Sequence, residues 1–464
     1  MAKIGGQVIP GKTLFLLTTE LMLTAAGLML ASALRMLSVS EWWSFITLPE
    51  NLARFGLVVV ICGLALYYCD VYDLRASNRR EVLFVSLMQA LGLACVILAI
   101  LYYIQPALAV GRSVAVLATP LILVLILGWR MLLESLASLS NKERLLIMGT
   151  SASGIALAKE ICSRTDLNFK VVGFLDEKGE NIGKSLVNPG IVGGAADVET
   201  IANREKIGRI VLSLAERRGT MPVRELLRLR MAGIPVEDAH TLYERITGRI
   251  LLERLSPSWL ILSDGFRKSA FLLTTKRLMD VIISLIALAF AMPVLLVTAL
   301  AIFLEDGRPI LFRQRRVGLN GQEFTMVKFR SMHKDADKNG AKWAADGDSR
   351  ITRVGKFIRR FRIDEIPQFW NVLRGEMSLV GPRPEQPYFC ALLEDKIPYF
   401  GLRHTLRPGI TGWAQIKYQY GATIEEAKNK LELDLFYIKH LSIMLDLAVI
   451  FETAKVMLVG RGAK

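Results

Sequence analysis

The sequence predicts three parts: a membrane α-helical bundle, an α/β Rossmann-like domain, and a mainly α domain carrying a re-entrant membrane helix hairpin. Three observations predict them. Apolar blocks of near-bilayer length fill the first 140 residues, and strand-like and helix-like runs alternate from Arg144 to Leu262. A further apolar run, Leu278–Leu304, lies between clusters of bases and has Pro293 near its middle. A chain of 464 residues has room for two or three domains. We place them at 1–140, 141–265 and 266–464.

The early blocks are Thr13–Leu37, Leu52–Cys69, Val82–Ile104 and Val114–Leu136. Each is near the ~20 residues that cross a bilayer. The first is too long for a signal peptide and lacks a small-residue cleavage site. Lysines and arginines in the loops set the sidedness. Lys3 and Lys12 precede the first block, Arg75, Arg79 and Arg80 fill the second loop, and Lys142 and Arg144 follow the fourth block. The first and third loops offer only Arg54 and Arg112. Both ends of the bundle, and everything after it, are therefore expected on the cytoplasmic side.

In the middle region Arg144–Gly149 reads as a strand, Ile155–Arg164 as a helix, and Lys170–Glu177 as a second strand. Arg209–Leu214 and the stretch Gly233–Asp238 supply further strands. That is a Rossmann-like βαβ pattern, with Asp176 ~20 residues past the first turn, where a ribose-binding acid belongs. The glycine fingerprint is incomplete: Gly149 and Gly154 are present, but Ser151 stands where the middle glycine lets a pyrophosphate approach. Two readings stay open, a bound nucleotide or a packing and regulatory domain without ligand.

Leu278–Leu304 is long enough to cross a bilayer, but bases flank both its ends. Lys276 and Arg277 precede it; Arg308, Arg313, Arg315 and Arg316 follow. The positive-inside bias holds both ends on one side, and Pro293 removes a backbone hydrogen bond where the helix would bend. We therefore expect helix 277–304 to enter one leaflet, turn near Met292–Pro293 and leave on the same side. Asp280, one turn on, is expected to pair with Lys276 and Arg277 at the interface. The tail, Ile424–Leu458, reads as helix with Asp446 as the single charge in its apolar stretch, fitting a packing or interfacial role.

The net charge of +15 lies mostly after Gly265, which points to anionic partners. A long apolar run inside the same basic region favours phosphate substrates and lipid headgroups over nucleic acid. The five cysteines, Cys62, Cys69, Cys95, Cys162 and Cys390, form no disulfide or zinc pattern, and the four histidines have no ligand spacing.

The chemistry concentrates in Arg359–Glu385, where Asp364 and Glu365 sit among arginines. Paired carboxylates in a positive field suit reactions of a phosphate ester, with a divalent metal as helper. Taken alone, Asp364 three residues before Pro367 could equally cap a helix. By default Trp343, Trp370 and Trp413 are packing or interfacial anchors rather than stacking platforms.

The motifs KFRSM (Lys328–Met332), DEIPQ (Asp364–Gln368) with Asn371-Val-Leu after it, SLVGPRP (Ser378–Pro384) and RPGITGWAQ (Arg407–Gln415) decide between these. From Thr274 onward the chain closely resembles the bacterial sugar transferases. These are the monotopic phosphoglycosyl transferases, or polyprenyl-phosphate hexose-1-phosphate transferases. The bundle and Rossmann-like domain resemble its long-form members, and Leu251–Phe266 looks like the linker of an exopolysaccharide-associated subgroup.

The resemblance implies transfer of hexose-1-phosphate from a UDP-sugar to undecaprenyl phosphate, with release of UMP, at the bacterial inner membrane. Such an undecaprenyl-phosphate hexose phosphotransferase starts exopolysaccharide or O-antigen repeat units. Glucose is the first expectation, with galactose or an N-acetylhexosamine as alternatives. Asp364 would be the nucleophile, forming a phosphosugar–aspartyl intermediate, and would also hold Mg²⁺. Arg359 and Arg383 would position the substrate phosphates, with Lys328, Arg330 and Arg407 as further candidates. For Glu365, proton handling and orienting Asp364 or the metal both stay open.

The expected partners are a UDP-sugar, undecaprenyl phosphate and membrane lipids, with a homodimer and downstream glycosyltransferases as candidates, and no nucleic acid. The rivals are a non-catalytic membrane scaffold, which would tolerate loss of the acids, and a nucleotide-gated transporter. The transporter leaves the C-terminal region without purpose, and no span is expected to carry the intramembrane charges of such pathways.

Overall fold

Each apolar block of the N-terminal region folds as a helix. The bundle consists of α1 (Gly11–Arg35), a short α2 (Val39–Thr47), α3 (Pro49–Tyr68), α4 (Arg80–Ile104) and α5 (Arg112–Ser138). Ser38 caps α2 by accepting from Glu41 N, and Pro49 opens α3 in the first turn, where no amide is needed. The computed structural model describes residues 2–4, 7–9, 11–36, 38–69, 71–72, 80–138, 142–164, 167–177, 179–214, 221–252, 260–261, 263–334, 350–418 and 423–459. The chain divides between Ala239 and His240 into two compact units.

In the bundle α1 packs on α3 and α5, and α3 on α4, around buried Leu28, Ala31, Leu66, Leu87 and Ile126. One expectation is corrected here, since two charges do sit inside spans. Glu20 on α1 and Arg130 on α5 are buried and paired at 2.6 Å, and Arg130 also donates to Val71 O at 3.0 Å. The pair joins two helices and neutralises itself, as an ion pair held inside a bundle must.

The second part of the first unit is a five-stranded parallel sheet. Its strands are β1 (Glu143–Met148), β2 (Phe169–Asp176), β3 (Ile191–Gly194), β4 (Arg209–Leu212) and β5 (Val236–Asp238), in spatial order β3-β2-β1-β4-β5. Helices α6 (Ala152–Ser163), α7 (Val198–Arg204) and α8 (Val223–Met231) connect them. This is the Rossmann-like order, and β3 is a strand the sequence pattern did not reveal. The fingerprint groups are already occupied by protein. Ser151 Oγ lies 2.6 Å from Ser213 Oγ and 2.9 Å from Ser153 Oγ. The Asp176 carboxylate accepts from Glu180 N at 2.9 Å and Asn181 N at 3.3 Å, closing its own turn.

The second unit starts ahead of the boundary expected at 265. It includes most of α9 (Ala239–Thr247), and Ile250 joins its core. Helix α10 (Ala270–Asp306) follows, 37 residues of one helix with Pro293 inside it, so the turn expected near Met292–Pro293 does not interrupt the helix. Next come the antiparallel strands β6 (Leu311–Val317) and β7 (Glu323–Phe329), then α11 (Arg353–Arg360) and α12 (Gln368–Arg374). Strand β8 (Ser378–Val380), α13 (Pro387–Lys396), strand β9 (Gly409–Thr411) and α14 (Trp413–Lys417) lead to the tail. The tail is two helices, α15 (Ile424–Lys439) and α16 (Ile443–Val459), rather than one. Thr423 and Glu426 form a capping box that starts α15. Trp413 packs as expected, 2% exposed, stacked on Phe436 and donating to Gly248 O. Trp370 is exposed beside Arg374, and Trp343 lies outside the described residues.

The pairing expected for Asp280 is also corrected. Lys276 Nζ donates to Asp446 Oδ2 at 2.6 Å, to Val380 O at 3.0 Å and to Tyr437 Oη at 3.2 Å. The Tyr437 hydroxyl in turn donates to Asp446 Oδ1 at 2.6 Å. Arg277 donates to Val372 O and Leu373 O, and Asp280 accepts from Leu379 N at 3.1 Å. Asp446 is fully buried, so removing it leaves an ammonium without its carboxylate, a loss of about 3–5 kcal/mol. Asp446→Ala is expected to lower the melting temperature by several degrees. Glu425→Ala, at a side chain 72% exposed, should change it little. Equal melting of both variants would contradict the role given to Asp446.

Candidate active site

Two backbone segments meet closely to hold the Pro-Arg-Pro turn. Strands β8 and β9 pair in parallel, Ser378 with Gly409 and Val380 with Thr411. Beyond them Gly381 N donates to Thr411 O at 2.9 Å and Gly409 N to Pro382 O at 3.0 Å. A Cβ on Gly409 would run into the Gly381 amide, and one on Gly381 into the Arg407 carbonyl. Glycine in both motifs is thus a condition of their approach, which fixes the turn that carries Arg383.

The acids are aimed by a second device. Asn371, 1% exposed, reads the edge of β7, accepting from Val327 N at 3.1 Å and donating to Thr325 O at 2.8 Å. That docks α12 on the strand carrying Lys328. Between α11 and α12 the chain turns at Arg362, whose φ of 53° is left-handed. A single 3₁₀ turn, Ile363–Glu365, follows and presents both carboxylates. Asp364 makes no cap: α12 starts after Pro367 with no side-chain capping bond.

The two acids differ sharply. Glu365 Oε1 accepts from Arg383 Nη2 at 2.9 Å and Oε2 from Arg362 Nη1 at 3.4 Å. Burial alone would raise its carboxyl, but the Arg383 and Arg362 guanidiniums more than offset this and hold it below the usual glutamate value. The Asp364 side chain, 8% exposed, takes no hydrogen bond from any described residue. Burial, and then the Glu365 charge, push its carboxyl up to about 6, against the pull of Lys328, Arg359 and Arg383. One carboxylate is thus fastened to arginines. The other is a desolvated anion with cations around it and none bound to it.

Among the remaining candidates, Arg359 is half-buried in the last turn of α11, within electrostatic reach of Asp364. Lys328 lies over the Phe312 ring at 5.2 Å, and burial draws its pKa down. Arg330 is placed elsewhere. It is 5% exposed, donates to Asp306 O and Gly307 O at 2.9 Å and pairs with Asp306 Oδ2, closing the end of α10. Arg407 Nε donates to Gly375 O at 2.9 Å, which ties the end of α12 to the β9 segment. Arg362 and Asn371 were given no role by sequence reasoning. An asparagine inside an otherwise apolar Phe-Trp-Asn-Val-Leu helix was the one available signal for the second.

Among the described residues no three His, Cys, Asp or Glu side chains gather as a metal-binding group. Mg²⁺, however, usually binds through one or two carboxylates plus substrate phosphates and water. The unengaged Asp364 carboxylate fits that demand. Glu365, with an arginine on each oxygen, does not.

Residues 271–460 match the family model described as bacterial sugar transferase, and residues 68–231 match one described as CoA-binding domain. The UDP-N-acetylgalactosamine-undecaprenyl-phosphate N-acetylgalactosaminephosphotransferase of Aeromonas hydrophila is 43% identical over 241 residues, 52% of this chain and 56% of that protein. The undecaprenyl-phosphate glucose phosphotransferase of Komagataeibacter xylinus is 35% identical over 328 residues, 69% of this chain and 60% of that protein. The match therefore spans only a little over half the length of these two relatives. The UDP-glucose:undecaprenyl-phosphate glucose-1-phosphate transferase of Caulobacter vibrioides is 42% identical over 185 residues, covering 39% of this chain and 69% of that protein. On this evidence the chain belongs to the bacterial sugar transferase family.

Proposed function

We propose that this protein transfers a hexose-1-phosphate from a UDP-sugar to undecaprenyl phosphate, releasing UMP. The observation that carries the reading is the division between Asp364 and Glu365. An unengaged, desolvated carboxylate facing Lys328, Arg359 and Arg383 is equipped to attack phosphorus. A carboxylate Oδ of Asp364 bonds to the sugar-linked phosphorus, the bond from that phosphorus to the bridging oxygen breaks, and UMP leaves with the electron pair. A phosphate oxygen of undecaprenyl phosphate then attacks the same phosphorus and frees the Asp364 carboxylate. Covalent catalysis replaces one hard displacement with two.

Glu365 acts as the anchor of Arg383 rather than as a base, because its carboxyl is held below the usual range. Arg383 thereby stands preorganised for a phosphate oxygen. Mg²⁺ held by Asp364 and substrate phosphate would supply further neutralisation of charge. Relatives named for glucose and for N-acetylgalactosamine support both sugars. Glucose remains our first expectation, with galactose or an N-acetylhexosamine as alternatives, and a panel of UDP-sugars decides among them.

We place the catalytic unit, residues 266–464, on the cytoplasmic face of the inner membrane, with 277–304 as a re-entrant helix. The described chain holds five helices long and apolar enough to cross a bilayer, including α10. Both ends of α10 are held by the same unit. Its first turns bury Lys276, Asp280 and Ser284, and its last bury Thr298 and Ile302, the latter against Phe329 and Ile358. Near the end, Glu305 accepts from Arg353 N and Val354 N. Between these anchors Leu285, Ile286, Phe290, Met292 and Leu296 are exposed. Two ends fastened to one domain support entry and exit on a single side.

Three experiments follow. Asp364→Asn should cut UMP release from UDP-glucose with undecaprenyl phosphate to below about a thousandth of wild type. In the wild type the rate should fall about tenfold per pH unit below about 6, where Asp364 takes up its proton, and level off above. Turnover retained by the asparagine variant would rule out the covalent route. For the topology, a cysteine placed at Gly318 should stay unreactive to an impermeant thiol reagent in intact cells and react after permeabilisation. Labelling of intact cells would put the unit outside.

A further inference from the structure

One edge of the five-stranded sheet is tethered close to the bilayer. All five strands run parallel, so their starts share that edge. Helices α6, α7 and α8 each return the chain from a strand end to a strand start, so their last turns lie along the same edge. The bundle delivers the chain to this place. Helix α5 continues five residues past its apolar span, from Leu133 to Ser138, about 7.5 Å of helix. That is roughly the depth of one headgroup layer. Glu143, which opens β1, follows Ser138 by five residues, a reach of at most about 18 Å.

The charges along this edge do not cancel. Among the described residues its acids are Glu143, Glu160, Glu205 and Glu237, and an arginine holds each one. Arg209 lies 2.8 Å from Glu143 and 2.7 Å from Glu237, Arg144 pairs with Glu205, and Arg164 with Glu160. Lys142, Lys170, Lys206 and Arg230 are exposed there, and no acid among the described residues joins any of them. Beside Arg230 stands Met231, which ends α8 and is 83% exposed. A helix dipole welcomes a base in its last turn, which accounts for Arg230. It does not account for Lys142 or Lys170, which sit at the starts of strands, nor for a thioether left in water. Asp176, Asp197 and Asp238 gather at the opposite edge, away from the point of entry.

Unanswered bases around an apolar side chain, held near a bilayer, match the chemistry of an anionic lipid surface. The geometry points to this edge of the sheet as a docking surface for anionic lipid headgroups, with Met231 entering between them. A second copy of the chain fits less well, because a two-fold contact sets the same bases against each other. The inference rests on the bundle crossing the bilayer and is independent of the transfer chemistry.

The probe is a phosphatidylglycerol with a photoreactive diazirine on its headgroup, placed in nanodiscs around the full-length protein. Peptides containing Met231 should be labelled at least about tenfold more than those containing Ile182, which is 55% exposed but follows the far end of β2. A phosphatidylcholine with the same diazirine should lose that preference. Lys170→Glu combined with Arg230→Glu should bring Met231 down to the level of Ile182, whereas Lys184→Glu, at the far edge, should change nothing. About 1 M salt should do the same to the unaltered protein, a reading free of any folding effect.

Equal labelling of the two edges would overturn the assignment, as would labelling at Met231 that ignores both salt and charge reversal. Cross-links between two copies through the Met231 peptides, in place of lipid adducts, would seat a second copy there and overturn it too. Labelling as expected in a protein without transferase activity would leave this inference standing and sink only the transferase reading. An active enzyme with no lipid adduct at this edge would sink this inference alone.

Discussion

The C-terminal unit depends on a buried ammonium. Lys276, near the start of the long apolar helix, reaches Asp446, Tyr437 and the carbonyl of Val380 at one point. Desolvating such an ion pair is costly, and it holds only where every remaining donor and acceptor is met. Here they are met by groups from the membrane helix, both tail helices and the strand before the Pro-Arg-Pro turn. Asp280 fastens that same strand one turn further on, through Leu379 N. The consequence is mechanical. The long apolar helix and the turn carrying Arg383 are joined through these contacts, and under the proposed function that joint brings a lipid-borne substrate and a soluble one together.

From that frame the chemistry follows by asymmetry between neighbours. Two adjacent carboxylates in one positive field would ordinarily share the cations. The left-handed turn at Arg362 and the fixed position of Arg383 assign both guanidiniums to Glu365 and leave Asp364 with charge nearby but no bond. A salt-bridged nucleophile would have to break its bridge before reacting. Burial first, and then the adjacent Glu365 anion, lift the Asp364 carboxyl to about 6 against the pull of Lys328, Arg359 and Arg383.

Local pattern revealed the parts and missed their joints. Apolar blocks gave away the membrane helices, and alternating strand and helix runs gave away the parallel sheet, because both depend on periodicity over ten to twenty residues. The acid pair was legible because DEIPQ, SLVGPRP and RPGITGWAQ cluster around it. Lys276–Asp446 and Glu20–Arg130 were not, since their partners lie 170 and 110 residues apart and a lone charge in an apolar run carries no address. The same limit misplaced Asp280, whose sequence neighbours are bases but whose actual partner is a backbone amide. Arg330 illustrates the converse: its motif is conspicuous, yet the guanidinium closes the end of a helix. Asp176 stands at the right offset for a ribose but is taken by its own turn.

The most direct test is chemical trapping of the wild-type protein. Incubated with a UDP-sugar in the absence of undecaprenyl phosphate and quenched in acid, it should carry a hexose-phosphate adduct by peptide mass spectrometry. The predicted result is an adduct on the peptide containing Asp364, with fragmentation placing it on that residue, and its disappearance when undecaprenyl phosphate is added. An adduct on Glu365 or any other side chain, or full turnover with no adduct at any time, would contradict a mechanism built on an unengaged Asp364.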